Sequence, residues 1–221
     1  MEKTLSHVMA APAHAPEDES QFGSSARGGS AVATQSGPTD RMTRLLNPDS
    51  AEDILRYREG VETLMRLGAR KTISNGIPAH AAILFETFFR HAKESVKIFC
   101  ESLKADVFGT QALLDQAAWA MARGVTVQII VQSEPQPSGF LSLMKSGLFR
   151  AVGGVKDSTF NFAVMDGRAV RIEKDRTKCE AVASMNDPEV GKVLSASFDR
   201  LLLTSAVPIT ATEPECATPS I

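Results

Sequence analysis

FNFAVMDGRAVRIE, residues 160–173, decides how this chain is read, because two short β-prone runs flank Asp166-Gly167. Asp and Gly both tolerate the positive φ that a two-residue hairpin turn demands, so the stretch predicts a β-hairpin. Alternation along the strand leading in places Thr159, Asn161, Ala163 and Met165 on one face and Phe160, Phe162 and Val164 on the other. Asn161 is then a polar residue inside an apolar strand. Two readings are open for it: an edge position or bond to a neighbouring loop, or a contact to a ligand.

Upstream of the hairpin, VTVQIIV (125–131) is nearly continuous in apolar residues, which predicts a strand buried on both faces. Val96 to Cys100 reads as a second buried strand. Between them a helix from Thr110 to Gly124 is expected to turn Leu114, Ala117, Ala118 and Met121 inward. Pro78 opens an earlier helix with an apolar face of Ala81, Leu84, Phe85, Phe88 and Ala92, after a loop around Asn75-Gly76. His80 and His91 on that helix are three turns, roughly 16 Å, apart and cannot share one metal. Ser50 with Asp53 forms a capping box for the first helix, whose stripe Ile54, Tyr57, Val61, Leu64 can dock on its own domain or on a partner. Gly60 weakens that helix by about 1 kcal/mol relative to Ala.

Following 131, a proline-containing loop (133–139), a short helix (140–145) and a strand (148–152) lead to the hairpin. A charged turn, KDRTK (174–178), and a strand from Glu180 to Ser184 come after it. Asp187-Pro188 caps and opens a helix with the core face Val190, Leu194, Phe198 and Leu201. Strands alternating with helices predict an α/β fold, a mixed central sheet with helices on both faces. Residues 1–46 are expected to be a disordered N-terminal tail, 47–76 a helix and linker, 77–204 the α/β domain, and 205–221 a second disordered tail.

Composition narrows the function classes. Of 221 residues, 24 are Lys or Arg and 26 Asp or Glu, so nucleic-acid contact would need a local basic patch. Three cysteines, Cys100, Cys179 and Cys216, stand at spacings that suit neither zinc nor a disulfide framework. A reducing, cytoplasmic location is expected. No segment approaches the ~20 apolar residues of a membrane span. Neither a metal nor a cofactor is expected.

Three stretches together resemble half of a phospholipase D-like domain, from Ile77 to about Leu203. VKIFCESLKADVFGTQALLDQAAWAMARGVTVQIIVQ is similar to that family's strand, crossing helix and second strand. FNFAVMDGRAVRIE stands where the family carries H-x-K-x-x-x-x-D, and EAVASMNDPEVGKVLSASFDRLL resembles its closing strand, Ser/Asn element and last helix. The resemblance matches Asp166 to the motif aspartate, which puts Asn161 at the lysine and Thr159 at the histidine. It implies a degenerate motif. In the family, histidines of two half-domains act as nucleophile and general acid on a phosphodiester, and the lysines hold the phosphate. Thr159 is a poor nucleophile and Asn161 carries no charge; loss of proton transfer alone costs ~10²- to 10⁴-fold. Ser184 and Asn186 stand in for the Ser/Asn element.

The resulting expectation is a catalytically inactive binding or regulatory module. A polar pocket of Thr159, Asn161, Asp166, Ser184 and Asn186 would take a small ligand or a phosphate. Arg168, Arg171, Lys174, Arg176 and Lys178 would form a basic surface beside it, or else a solvated turn. Pairing with a second copy is a further implication of the family. Two alternatives remain: an active dimeric phosphodiesterase or nuclease, and a scaffold that binds a protein partner through residues 50–67.

Overall fold

The computed structural model describes residues 50–135, 138–144, 147–153, 155, 160–175 and 180–209, without the side chains of 174 and 175. The expected N-terminal tail, most of the C-terminal one, Thr159, Arg176, Lys178 and the Lys174 side chain lie outside the described residues, as do Cys179 and Cys216.

Eight strands form one mixed sheet in the order β1-β7-β6-β5-β2-β3-β4-β8. They are β1 (Thr72–Asn75), β2 (Ser95–Cys100), β3 (Thr126–Val131), β4 (Leu148–Ala151), β5 (Asn161–Met165), β6 (Ala169–Asp175), β7 (Glu180–Ser184) and β8 (Ala206–Pro208). β2, β3 and β4 run parallel, and every other pairing is antiparallel. Helices α1 (Ala51–Leu67), α2 (Pro78–His91), α3 (Ala105–Phe108), α4 (Gln111–Ala122) and α5 (Gly139–Leu143) share one core with Ile98, Ile129, Ala163 and Met165. α6 (Pro188–Ser205) covers the other face, where Leu194 and Phe198 pack on Phe99, Ile130, Phe162 and Val164. The α/β fold with helices on both faces is thus the one expected.

The hairpin forms about Asp166 and Gly167, at φ 49° and 62°. Arg168 N–H donates to Met165 C=O at 3.0 Å and closes the turn. Strand alternation also holds, because Ala163 and Met165 face α2 while Phe162 and Val164 face α6. β5 lies between β2 and β6, so the edge reading of Asn161 is incorrect: both flanks of its strand are paired. At the turn end, Asp187 accepts from Val190 N–H at 3.1 Å and caps α6. Only glycine fits at 191, since a Cβ there would lie 2.2 Å from Gly167 O.

α1 begins at its capping box, where Asp53 N–H donates to Ser50 Oγ at 3.2 Å. Its stripe turns inward, with Val61 and Met65 buried and Ile54, Tyr57 and Leu64 packed against the same core. Arg58 pairs with Glu86, and His91 Nε2 lies 2.6 Å from Glu62 Oε1. The stripe expected to recruit a partner thus packs on its own domain, and Tyr57, Val61 and Leu64 at its margin also border an open groove.

Three details depart from the sequence expectation. Leu113, Ala117 and Ala120 are the fully buried residues of α4, and of the expected face Ala117 is among them while Leu114 and Met121 are half-buried against the same core. The doublets Leu113-Leu114 and Ala117-Ala118 permit either phase, and packing on α2 selects this one. The linker before Gly76 contains β1, and the tail expected from 205 begins with β8. Both are short segments without alternation of their own, held by pairing to distant β7 and β4. No helix among the described residues is long and apolar enough to cross a membrane.

Candidate functional site

Across the sheet the register runs Asn161↔Glu173↔Ala181↔Asn75, so strand pleating brings three polar side chains to the face under α1 and α2. Arg171 is two residues before Glu173 and shares that face. The small alanines Ala181 and Ala183 leave room above the sheet for these longer side chains.

Asn161 Nδ2 donates to Glu173 Oε2 at 2.6 Å, and Gln132 Nε2 donates to Asn161 Oδ1 at 3.3 Å. Arg171 Nη2 lies 3.5 Å from Glu173 Oε1, and its guanidinium carbon is 5.5 Å from the Phe85 ring centre. Asn161 and Arg171 are 5% and 6% exposed, so this is an interior network. It borders a cavity of about 50 Å³ between the first turn of α2, the segment 101–108 and the sheet. Such a volume holds a few waters or a very small ligand. Nearby, Tyr57 Oη, the Asn75 side-chain amide and Arg171 Nε are buried without a hydrogen-bond partner among the described residues.

Burial pulls the Arg171 guanidinium below its ordinary pKa, against the opposing effect of the Glu173 charge and hydrogen bond. Burial pushes the Cys100 thiol up to about 12, with Glu173 adding to the rise, so Cys100 is a protonated thiol at neutral pH and a poor nucleophile. The Tyr57 phenol is likewise raised by burial, with Arg171 acting in the other direction. Among the described residues, the charged groups lining the cavity are Glu101, Asp106 and Glu173 with Lys104 and Arg171, and no histidine lines it. His80 stacks on Tyr57 with ring centres 3.8 Å apart. No group of three or more His, Cys, Asp or Glu side chains among the described residues is placed to hold a metal.

The residues expected to converge do not. Ser184 pairs with Val170, which faces α6, so its hydroxyl lies on the opposite side of the sheet from Asn161. Asn186 Nδ2 donates to Gly68 O at 2.7 Å, tying the end of α1 to the β7–α6 connection. Asp166, at the turn end of the hairpin, accepts from the backbone N–H groups of Lys93 and Glu94, each at 2.9 Å, and of Ser95 at 3.0 Å. Of the expected pocket, only Asn161 is in the cavity; Thr159 lies outside the described residues. The expected basic surface also needs correcting. Arg168 is half-buried at the turn, but Arg171 is buried in the network because β6 is an interior strand covered from above. Arg176, Lys178 and the Lys174 side chain cannot be placed in it, being outside the description.

Gln132, Glu173, Cys100 and Arg171 complete the cluster and were not anticipated there. The predicted two-residue turn would have misled here, because it pairs Asn161 with Ile172; the observed pairing of Met165 with Ala169 takes Arg168 into the loop and brings Glu173 and Arg171 to the face of Asn161.

No family model and no curated protein matches this sequence. Solved structures resemble it in the course of the backbone. The phospholipase D family member Nuc from Salmonella typhimurium is 14% identical, over 64% of this chain and 100% of that one, at a TM-score of 0.47. NucT from Helicobacter pylori is 16% identical, over 61% and 97%, also at 0.47. The phosphatidylserine synthase of Haemophilus influenzae Rd KW20 is 13% identical, over 73% and 44%, at 0.48. None of these likenesses bears on what this chain does.

Proposed function

We propose that this chain is a phospholipase D-like domain that does not cleave phosphodiesters and serves as a binding or regulatory module. The supporting observation is the 2.6 Å bond from Asn161 to Glu173. At the position the sequence resemblance gives to a phosphate-holding lysine, there is a neutral amide already engaged by a carboxylate. A phosphate placed there would meet a negative charge and would have to displace a buried hydrogen bond. The acidic lining and the protonated Cys100 fit the same reading. Burial of Arg171 also withdraws that residue from the expected basic surface.

The test is a cleavage assay on the full chain. End-labelled single- and double-stranded oligonucleotides and bis(p-nitrophenyl) phosphate are incubated with it in excess EDTA. No turnover above buffer is expected. Cleavage that persists in EDTA, is lost in Asn161→Ala and survives in Arg168→Ala would overturn the proposal in favour of an active phosphodiesterase.

A further inference from the structure

The two edges of the sheet differ. β8 is three residues long and ends in Pro208, which cannot donate to an added strand. β1, Thr72-Ile73-Ser74-Asn75, contains no proline and no charged side chain. Among the described residues it pairs with β7 on one side only, in continuous register from Thr72 to Asn75. In an antiparallel pair, the alternate backbone N–H and C=O groups that do not bond the neighbour point outward, so β1 offers an open row of donors and acceptors.

Beside this edge, between β1 and α1, runs an open groove of about 530 Å³ whose apolar lining is Tyr57, Val61, Leu64 and Ile73. Gly60 also lines it, and a side chain added there would meet nothing within 4 Å. The glycine keeps the groove open at the expense of helix propensity. Lys71 lines it, Arg66 and Arg70 are exposed in the adjoining stretch of chain, and none of the three has an ion-pair partner among the described residues. Glu59 is the acidic residue of the lining, and Arg56 is occupied by Glu52 and Asp53.

We propose that this edge and groove bind an extended peptide segment of another protein, which adds to β1 as a further strand. Its backbone bonds the outer row of β1, one apolar side chain enters the groove over Gly60, and acidic residues meet Arg66, Arg70 and Lys71. Each part of that partner is set by one part of the surface: the unpaired backbone requires an extended chain, the apolar floor a hydrophobic side chain, and the unpaired cations a negative flank. This inference does not depend on the Asn161 cavity being inactive.

The experiment uses the full chain and a fluorescein-labelled peptide in which valine and phenylalanine alternate with threonine between glutamate flanks. Fluorescence anisotropy is expected to show saturable binding. Affinity should fall at least about tenfold when alternate peptide amides are N-methylated, when the flanks are lysine, in Arg70→Glu/Lys71→Glu, and in Gly60→Leu, which fills the groove. Because leucine favours helix over glycine, Gly60→Leu should keep or raise the thermal midpoint, separating loss of binding from loss of fold. Absence of binding by the unmodified peptide, or equal binding of its N-methylated form, would overturn the proposal. So would self-association of the chain alone that Gly60→Leu abolishes in sedimentation equilibrium, which would give the edge to a second copy, and so would competition by an oligonucleotide equal to that of unlabelled peptide.

Discussion

Glu173→Ala tests whether the interior network is a matched set. The substitution leaves Arg171 charged at 6% exposure, with Nε already without a partner, and removes the acceptor of the Asn161 amide. Breaking a buried ion pair by deleting one partner costs about 3–5 kcal/mol. For a domain whose total stability is of order 5–15 kcal/mol, that is a large fraction. With a urea dependence of about 2 kcal/mol per molar, the unfolding midpoint should fall by about 1.5–2.5 M. The companion variants are Arg171→Met and the double variant, followed by equilibrium unfolding in urea with far-ultraviolet circular dichroism. Removing the stranded cation should restore stability, so the double variant is expected to be at least about 1.5 kcal/mol more stable than Glu173→Ala alone. If instead the two single losses simply add, Glu173 is not what holds Arg171 in the interior, and the account of this cavity fails.

Gly191→Ala places a Cβ 2.2 Å from Gly167 O, a backbone atom that cannot swing aside, and should cost at the upper end of roughly 1–3 kcal/mol in urea unfolding. Asp166→Ala removes the acceptor of three backbone N–H groups at a residue with φ 49° and should lose about 2–3 kcal/mol; Asn, which keeps one acceptor oxygen and tolerates that φ, should lose less than half as much. An equal loss in the two would refute the capping role. Cys100 has a folded pKa of about 12 above a reference of 9.0, so the folded state retains a proton that the unfolded state gives up. Its contribution is therefore intact below about pH 9 and declines as pH rises from there towards 12. Between about pH 8 and pH 10.5 the wild type should lose more stability than Cys100→Ala, and parallel losses would contradict the buried thiol.

The sequence was informative wherever the determinants are local. Asp166-Gly167 located the hairpin, though not its register, while Asp187-Pro188 marked the start of α6 and Ser50 with Asp53 that of α1, because each is settled within four residues. Strand parity correctly separated Asn161 from Phe162. What it could not convey was sheet order. Ser184 and Asn186 seemed partners for Asn161 only while the face and end at which β7 stops were unknown. Arg171 and Glu173 looked like solvent-facing charges, since the helices that cover them come from residues far earlier in the chain. β1 carries no periodic signal at all, being defined by β7.

The strand order also governs how the domain can be made. β5, β6 and β7 are neighbours in both chain and sheet, so they can assemble by local closure, whereas β1 must meet β7 and β8 must meet β4 across much of the domain. At a synthesis rate of about 5–20 residues per second, β1 leaves the ribosome roughly 5–20 s before its partner exists. Throughout that interval an uncharged, proline-free strand has no intramolecular mate, so the nascent chain is most exposed to mispairing at its first strand and would gain most from a chaperone there.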